Sequence, residues 1–395
     1  MGNKIIEQIK QLTAKNHNEV VANRRWLHQN PELSFEEIYT SEFIQGKLKE
    51  LGIEFTTGIV KTGVVGFVKG RNPEKKTIAL RADMDALPIL EENNIPYKSQ
   101  NEGVMHACGH DVHSASLLGV AAVVSQLTNE FEGTVKLIFQ PGEEKLPGGA
   151  SLMIKEGVLD NPRPQSILGQ HVFPDLPAGK VGFRPGMYMA SCDELYLTVK
   201  AKGGHAALPH KFTDTVLIAC EIISSLQQIV SRKARPDIPS VLSFGKINST
   251  GGATNIIPDE VKIEGTFRTM NEEWRAEAHE TMVALAEGIA KSMGGTCDFE
   301  VRKGYPFLKN DETITNAAME AAIQFLGKEN VVELDLRMTG EDFSYYTQTI
   351  PGCFYRLGTG SSSGLHTSKF NIDESALELG VGLMSWITIN MLNEQ

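Results

Sequence analysis

The sequence predicts an α/β protein: a largely parallel sheet with helices on both faces, whose chain is interrupted by an inserted ferredoxin-like α+β module. Three observations predict it. Short β-branched runs alternate with helical runs through the first half, the order that builds parallel sheets. Near Met187 this gives way to the β-α-β-β-α-β order of the split βαβ, ferredoxin-like motif. After residue 302 the first grammar returns, and 395 residues exceed the roughly 250–300 at which a single core stops growing. The expected division is a discontinuous main domain, 1–186 and 303–395, around an inserted domain, 187–302.

In order, apolar spacing from Ile5 to Leu51 is helical, broken at Pro31 between Val20–Gln29 and Ser34–Leu51, where Ser34 and Glu37 read as a capping box. Ile53–Thr57, Val64–Lys69 and Thr77–Ala82 read as strands. The last runs into RADMDALP, so Asp83 and Asp85 fall just past a strand. The segment MHACGHDVH (105–113) precedes a helix, Ser114–Leu127, and the strand Gly133–Gln140 leads into PGEE with Glu143 and Glu144. Helix Ala150–Glu156 and strand Ser166–Val172, carrying His171 near its end, complete this half. The inserted part reads as strands Glu194–Ala201, Ser240–Asn248, Glu260–Arg268 and Thr296–Val301 with helices Asp214–Ser231 and Glu272–Met293. Beyond it come helix Thr313–Leu326, a short strand near Val331, the MTGEDFSYY turn, strand Cys353–Leu357, the GSSSGLHTSKFNIDE loop and helix Glu374–Met391.

Composition narrows the function classes. A net charge of -11 without a basic stripe argues against nucleic acid as a partner. Five scattered cysteines without a CxxC pair suit a reducing compartment. The N-terminal stretch lacks a signal-peptide core, and the longest apolar run, Leu117–Val124, is far short of the ~20 residues a bilayer span needs. A soluble, cytoplasmic protein without membrane attachment is expected.

The chemistry centres on MHACGHDVH. In an extended backbone side chains two apart share a side, so Cys108 and His110 can reach one ion while Gly109 removes the side chain between them. Cys108, His110, Glu143, Glu144, His171 and His366 all fall in segments predicted at one sheet edge, where α/β proteins bind ligands. Of two adjacent carboxylates one can ligate while its neighbour serves a metal-activated water as base, a division of labour that suits hydrolysis.

RADMDALP, MHACGHDVH, QPGEE, GQHVFP, KGGHAALPH, TNIIPDEV, GTFRT, EDFSYY and GLHTSKF, in this order, resemble the co-catalytic metallohydrolase family of aminoacylases and carboxypeptidases, over essentially the whole chain. The likeness is to its amidohydrolase branch of hippurate hydrolases and auxin-conjugate amidohydrolases. It implies metal ligation by Cys108, His110, Glu144, His171 and His366, with Cys108 bridging two divalent ions (Zn, Mn, Co or Ni), and Glu143 as general acid/base. It also implies that Asp85 stands behind the ligands and orients one of them. Asp83 stands where the wider family has a histidine, and its role is left open.

On the inserted domain the resemblance implies that His205 holds the oxyanion and reaches a partner subunit's site, so that the domain serves as lid and dimerisation surface of a homodimer or higher oligomer. Asn255 and Arg268 match substrate-contact positions, and an Arg fork suits a free carboxylate. Glu341 matches a substrate-pocket position but equally suits a helix N-terminus. His28 and His210 read as structural, and His106 and His113 as supporting or structural.

The reading is thus an amidohydrolase that cleaves N-acyl amino acids or small conjugates, N-acetyl-diaminopimelate among them. The alternatives are a dipeptidase or carboxypeptidase on the same site, a hydrolase with Cys108 as nucleophile and His110 as base, and a non-catalytic protein that kept the metal site.

Overall fold

The computed structural model describes residues 2–249, 251, 253–360 and 363–394; residues 361 and 362 of the Gly/Ser loop lie outside the described residues. In chain order the first half comprises α1 (Gly2–Gln29), α2 (Ile38–Glu50), β1 (Glu54–Ile59), β2 (Gly63–Lys69), β3 (Thr77–Asp83), α3 (His110–Val124), β4 (Thr134–Gln140), α4 (Gly149–Lys155), β5 (Ser166–Phe173), β6 (Val181–Phe183) and β7 (Gly186–Met189). There follow β8 (Asp193–Lys200), β9 (Gly204–His205), α5 (Thr215–Leu226), β10 (Ser240–Ser249), β11 (Ile256–Ile257), β12 (Glu260–Thr269), α6 (Glu272–Ser292), β13 (Thr296–Lys303) and β14 (Leu308–Asn310). The chain ends with α7 (Glu312–Leu326), β15 (Val331–Glu333), α8 (Ser344–Thr347), β16 (Gly352–Gly358) and α9 (Ser375–Asn393).

The chain forms two compact units: Met1–Tyr188, Lys309–Asp335 and Asp342–Gln395 make the first, Met189–Leu308 and Leu336–Glu341 the second. The first is built on an eight-stranded mixed sheet of order β1-β2-β4-β3-β5-β16-β6-β15. Its centre, β4, β3, β5 and β16, is parallel throughout. Every residue of β3, β4 and β16 is buried, as expected of strands covered on both faces. Helix α3 is buried nearly all round, its apolar and small residues packing against α1 and α9 in one continuous core. Helix α9 is long and apolar enough to cross a membrane, a pattern that a search for unbroken apolar runs misses. Yet 78% of its most apolar window is buried in that core, which accounts for the composition.

The second unit has its own core. Helices α5 and α6 pack on a four-stranded antiparallel sheet of order β10-β12-β8-β13, and β9 pairs with β11 as a separate ribbon. Asp193, buried at the start of β8, receives Arg275 of α6 through two bonds of 2.9 and 2.5 Å and lies 2.7 Å from His279 Nε2. This pair ties α6 to the sheet.

The helical run from Ile5 with its break at Pro31 is found as α1 and α2. Two local expectations are corrected. Helix α3 begins at His110 and not at Ser114, because Gly109, with φ +84°, turns the chain directly into it. Ser34 and Glu37 do not form a capping box: the amides of Tyr39 and Thr40 at the start of α2 go to Glu32, and the side chains of Ser34 and Glu37 go elsewhere.

Candidate metal centre

The site of the first unit gathers at the carboxyl ends of the parallel strands. Asp83 ends β3, Glu143 and Glu144 follow β4, and His171 lies near the end of β5. Cys108 and His110 converge on them, but not by strand alternation. Left-handed Gly109 sends Cys108 out of the loop and His110 into the first turn of α3. A side chain at 109 would strike Val172, the nearest atom lying 2.5 Å from an added Cβ. Glycine is therefore required twice here, for its φ and for this close approach. His366, itself at φ +59°, is anchored by its amide to Ala107 O at 2.8 Å.

Donor atoms face each other across short gaps. Cys108 Sγ lies 3.6 Å from His171 Nε2 and 3.3 Å from His366 Nε2, and Glu144 Oε1 lies 3.2 Å from His366 Nε2 and 4.0 Å from His110 Nε2. Ligands at 2.0–2.3 Å from a tetrahedral ion are themselves roughly 3–4 Å apart, the spacing found. Two triads with all donor atoms within 4.8 Å, Cys108–His110–His171 and Cys108–Glu144–His366, share the cysteine. Glu143 joins His110 and Glu144 in a further group of the same span.

The surrounding bonds decide which nitrogen each histidine offers. His171 Nδ1 donates to Val172 O at 2.8 Å, so its Nε2 lone pair faces Cys108; burial, with Arg356 and His113 beside it, holds its pKa far below the ordinary value and keeps it neutral. His110 Nδ1 bonds Asp85 Oδ1 at 3.1 Å, which turns Nε2 toward Glu144. Burial alone would lower the pKa of His110, but Asp83 and Asp85 outweigh it and push the value up to about 10. His113, by contrast, has no nitrogen left for a metal. Its Nε2 accepts the Val172 amide at 2.9 Å, which puts its proton on Nδ1, 2.6 Å from Asp83 Oδ1. Asp83 and His113 thus brace the end of β5, next to His171.

Two observations show that the donor set fits divalent cations. Buried Glu144 Oε1 makes no hydrogen bond within the described residues, although it points at two imidazoles. Cys108 is buried among Glu144, Glu143 and Asp83, and burial and those charges force its thiol pKa well above the ordinary value. A cation supplies the missing charge. The same surroundings disfavour a free thiolate nucleophile, and His110, the base such a mechanism needs, is engaged by Asp85.

The turn that carries Glu143 is tied on several sides. Asp342 N lies 3.4 Å from Glu143 Oε1, and Glu144 N donates to Asp85 Oδ2 at 2.9 Å. Asp342 is held in turn by Arg81 at 2.7 Å and Gln140 at 2.7 Å, and Arg81 also grips Asp83 at 2.6 Å. The sequence reading missed Arg81 and Asp342. Both lie in motifs it singled out, RADMDALP and EDFSYY, and the available signal was an arginine inside the apolar run that forms β3.

The remaining expected residues lie in the second unit. His205 is exposed on β9, opposite Ile256, and Asn255 is joined to it through the bond from Ala206 N to Asn255 O, 3.0 Å. Arg268, on β12, is half-buried and near Cys192, separate from that ribbon. His205 Nδ1 accepts the Ala207 amide at 3.1 Å, leaving Nε2–H as the outward donor.

The model of the Peptidase family M20/M25/M40 matches residues 79–388. The chain belongs to that family. Among curated M20 relatives, N-acetylcysteine deacetylase of Bacillus subtilis is 42% identical, over 91% of this chain and 93% of its own length. N-acetyldiaminopimelate deacetylase of Priestia megaterium is 39% identical, over 93% of this chain and 97% of its own. Among solved structures, a Bacillus subtilis protein described as a dinuclear metal binding peptidase of family M20 superposes with a TM-score of 0.84 at 38% identity, covering 96% of this chain and 99% of that one. This M20 chain is accordingly a metal-dependent hydrolase of amide bonds.

Proposed function

We propose that this M20 protein removes the acyl group from N-acyl amino acids, with short acyl groups such as acetyl as the first class to test. The carrying observation is the pair of donor triads that share Cys108, with Glu143 beside them. Cys108, His110, His171, Glu144 and His366 would hold two divalent cations, and Asp85 would orient His110. When bound, such ions polarise the amide carbonyl and acidify water. Glu143 takes the proton of the attacking water and returns it to the leaving amine nitrogen, which completes hydrolysis without a covalent enzyme intermediate.

The deacetylase names of two relatives support the acyl amino acid class. Among the described residues Arg268 has no ion-pair partner, which leaves its guanidinium for a substrate carboxylate, and the Nε2–H of His205 has the polarity needed to hold an oxyanion. We read the second unit as a ferredoxin-like lid and dimerisation module. Its support is the order β8-α5-β10-β12-α6-β13 and the exposed edge strand β10, with Val241 and Ile247 outward. A cytoplasmic setting is supported by five free cysteines.

A panel of N-acetyl, N-benzoyl and diaminopimelate-type conjugates, assayed after reconstitution with each metal, tests the proposal. Release of free amino acid from at least one N-acetyl substrate is expected, and cleavage of unblocked dipeptides alone would replace it with a dipeptidase.

A further inference from the structure

Glu37 opens α2 yet turns its carboxylate away from that helix, whose first-turn amides are taken by Glu32. It is fully buried instead under the turn that follows β4. Its Oε1 accepts the amides of Phe35 and Gly142, both at 2.8 Å, and its Oε2 accepts Thr62 Oγ1 at 2.9 Å. Gly142 has φ +63°, and a Cβ there would meet the Phe35 ring at 2.4 Å, so this turn and the Phe35 loop interlock around the carboxylate. Three residues earlier in the chain Ser34 Oγ donates to Asp85 Oδ2 at 2.6 Å, and the same oxygen takes the Glu144 amide. The amides on either side of Glu143 are thus each held by a buried carboxylate, Gly142 N by Glu37 and Glu144 N by Asp85.

We propose that Glu37 is a positioning residue for hydrolysis, fixing the backbone that aims Glu143 at its proton. The inference rests on the reading of Glu143 as general acid/base. It gives the segment PELSFEE a role beside the catalytic turn, where a helix cap would leave Gly142 untouched. Releasing Gly142 N frees the turn on one side only, so Glu144 stays tied to Asp85 and metal binding is preserved while proton transfer suffers.

The test compares Glu37→Ala, Glu37→Asp and Glu37→Gln with Glu143→Gln in the metal-loaded enzyme, reading kcat, KM, metal content and hydrogen exchange of the Gly142 amide. In Glu37→Ala kcat is expected to fall by about tenfold or more, since misplacement of about 1 Å can cost a hundredfold, with KM and metal content little changed and faster exchange at Gly142. Glu37→Asp, one methylene too short, follows it. Glu37→Gln still offers an oxygen to both amides and returns kcat to near wild type. Wild-type kcat in Glu37→Ala or Glu37→Asp overturns the proposal, and so does a Glu37→Gln enzyme as slow as Glu37→Asp. Should Glu37→Ala not fold, the Asp and Gln variants decide alone. Persistent turnover in Glu143→Gln would instead defeat the reading of Glu143, whatever the Glu37 variants do.

Discussion

At the residue scale the centre depends on a division between neighbours. Glu144 Oε1 faces two imidazoles, whereas Glu143 Oε1 faces a backbone amide, so the two carboxylates are not interchangeable. Glu143→Gln keeps the shape and hydrogen-bond acceptor but cannot carry the proton; it should lose turnover by at least about a hundredfold and keep its metal, as measured by activity beside metal analysis. Equal loss of metal would contradict the split. Glu37 carries a second prediction. Burial and the Asp85 charge push its pKa up from 4.5 to about 7. In the metal-free protein the folded state therefore retains a proton that the unfolded chain releases, and stability falls as pH rises through this window, by about 3 kcal/mol in all. Glu37→Gln should abolish that slope in urea titrations between pH 4.5 and 7; an unchanged slope would refute it. The candidate donors were legible in the sequence because Cys, His and Glu clustered in short motifs, and the structure brings them within reach of one another. Which nitrogen each histidine offers was not, because that depends on partners such as Val172 O and Asp85, and for Asp85 on a contact remote in sequence.

At the element scale, strands and long helices were legible because their periodicities are local. The start of α3 was not: the small and apolar residues that mark the helix begin at Ser114, but a left-handed glycine sets the start at His110. Gly109→Ala should therefore act on the site as well as on stability, since it adds strain at positive φ and a clash with Val172. A loss of about 2–4 kcal/mol with weakened metal binding is expected from denaturation and metal titration; wild-type metal affinity would contradict it. The same lesson holds for Ser34 and Glu37, whose spacing fits a capping box while their side chains serve Asp85 and Gly142. In the second unit, Asp193→Ala leaves the buried Arg275 with Glu272 as its ion-pair partner among the described residues, at a cost of about 3 kcal/mol. Although burial would raise the pKa of Asp193, His279 and Arg275 hold it below the ordinary range. The unfolded state therefore binds the proton more readily, so the stabilisation is present at neutral pH and fades as pH falls through the carboxylate range. Wild type and variant should converge in stability in acid, and a constant gap would argue against this linkage.

At the scale of the whole molecule, the alternation of strands and helices implied the α/β class, and the central parallel strands β4, β3, β5 and β16 lead into four segments that carry candidate site residues at one edge. Pattern alone did not reveal the antiparallel flanks of the sheet, β1, β2 and β6, since pairing direction depends on contacts remote in sequence. This edge is a two-metal hydrolytic centre. Its most direct test is to strip the protein with a chelator, add back Zn, Mn, Co or Ni in turn, and follow N-acetyl amino acid cleavage against bound metal. Activity should disappear with the metal and return as binding approaches two ions per chain; full activity in protein proven free of metal would refute a metal-activated water.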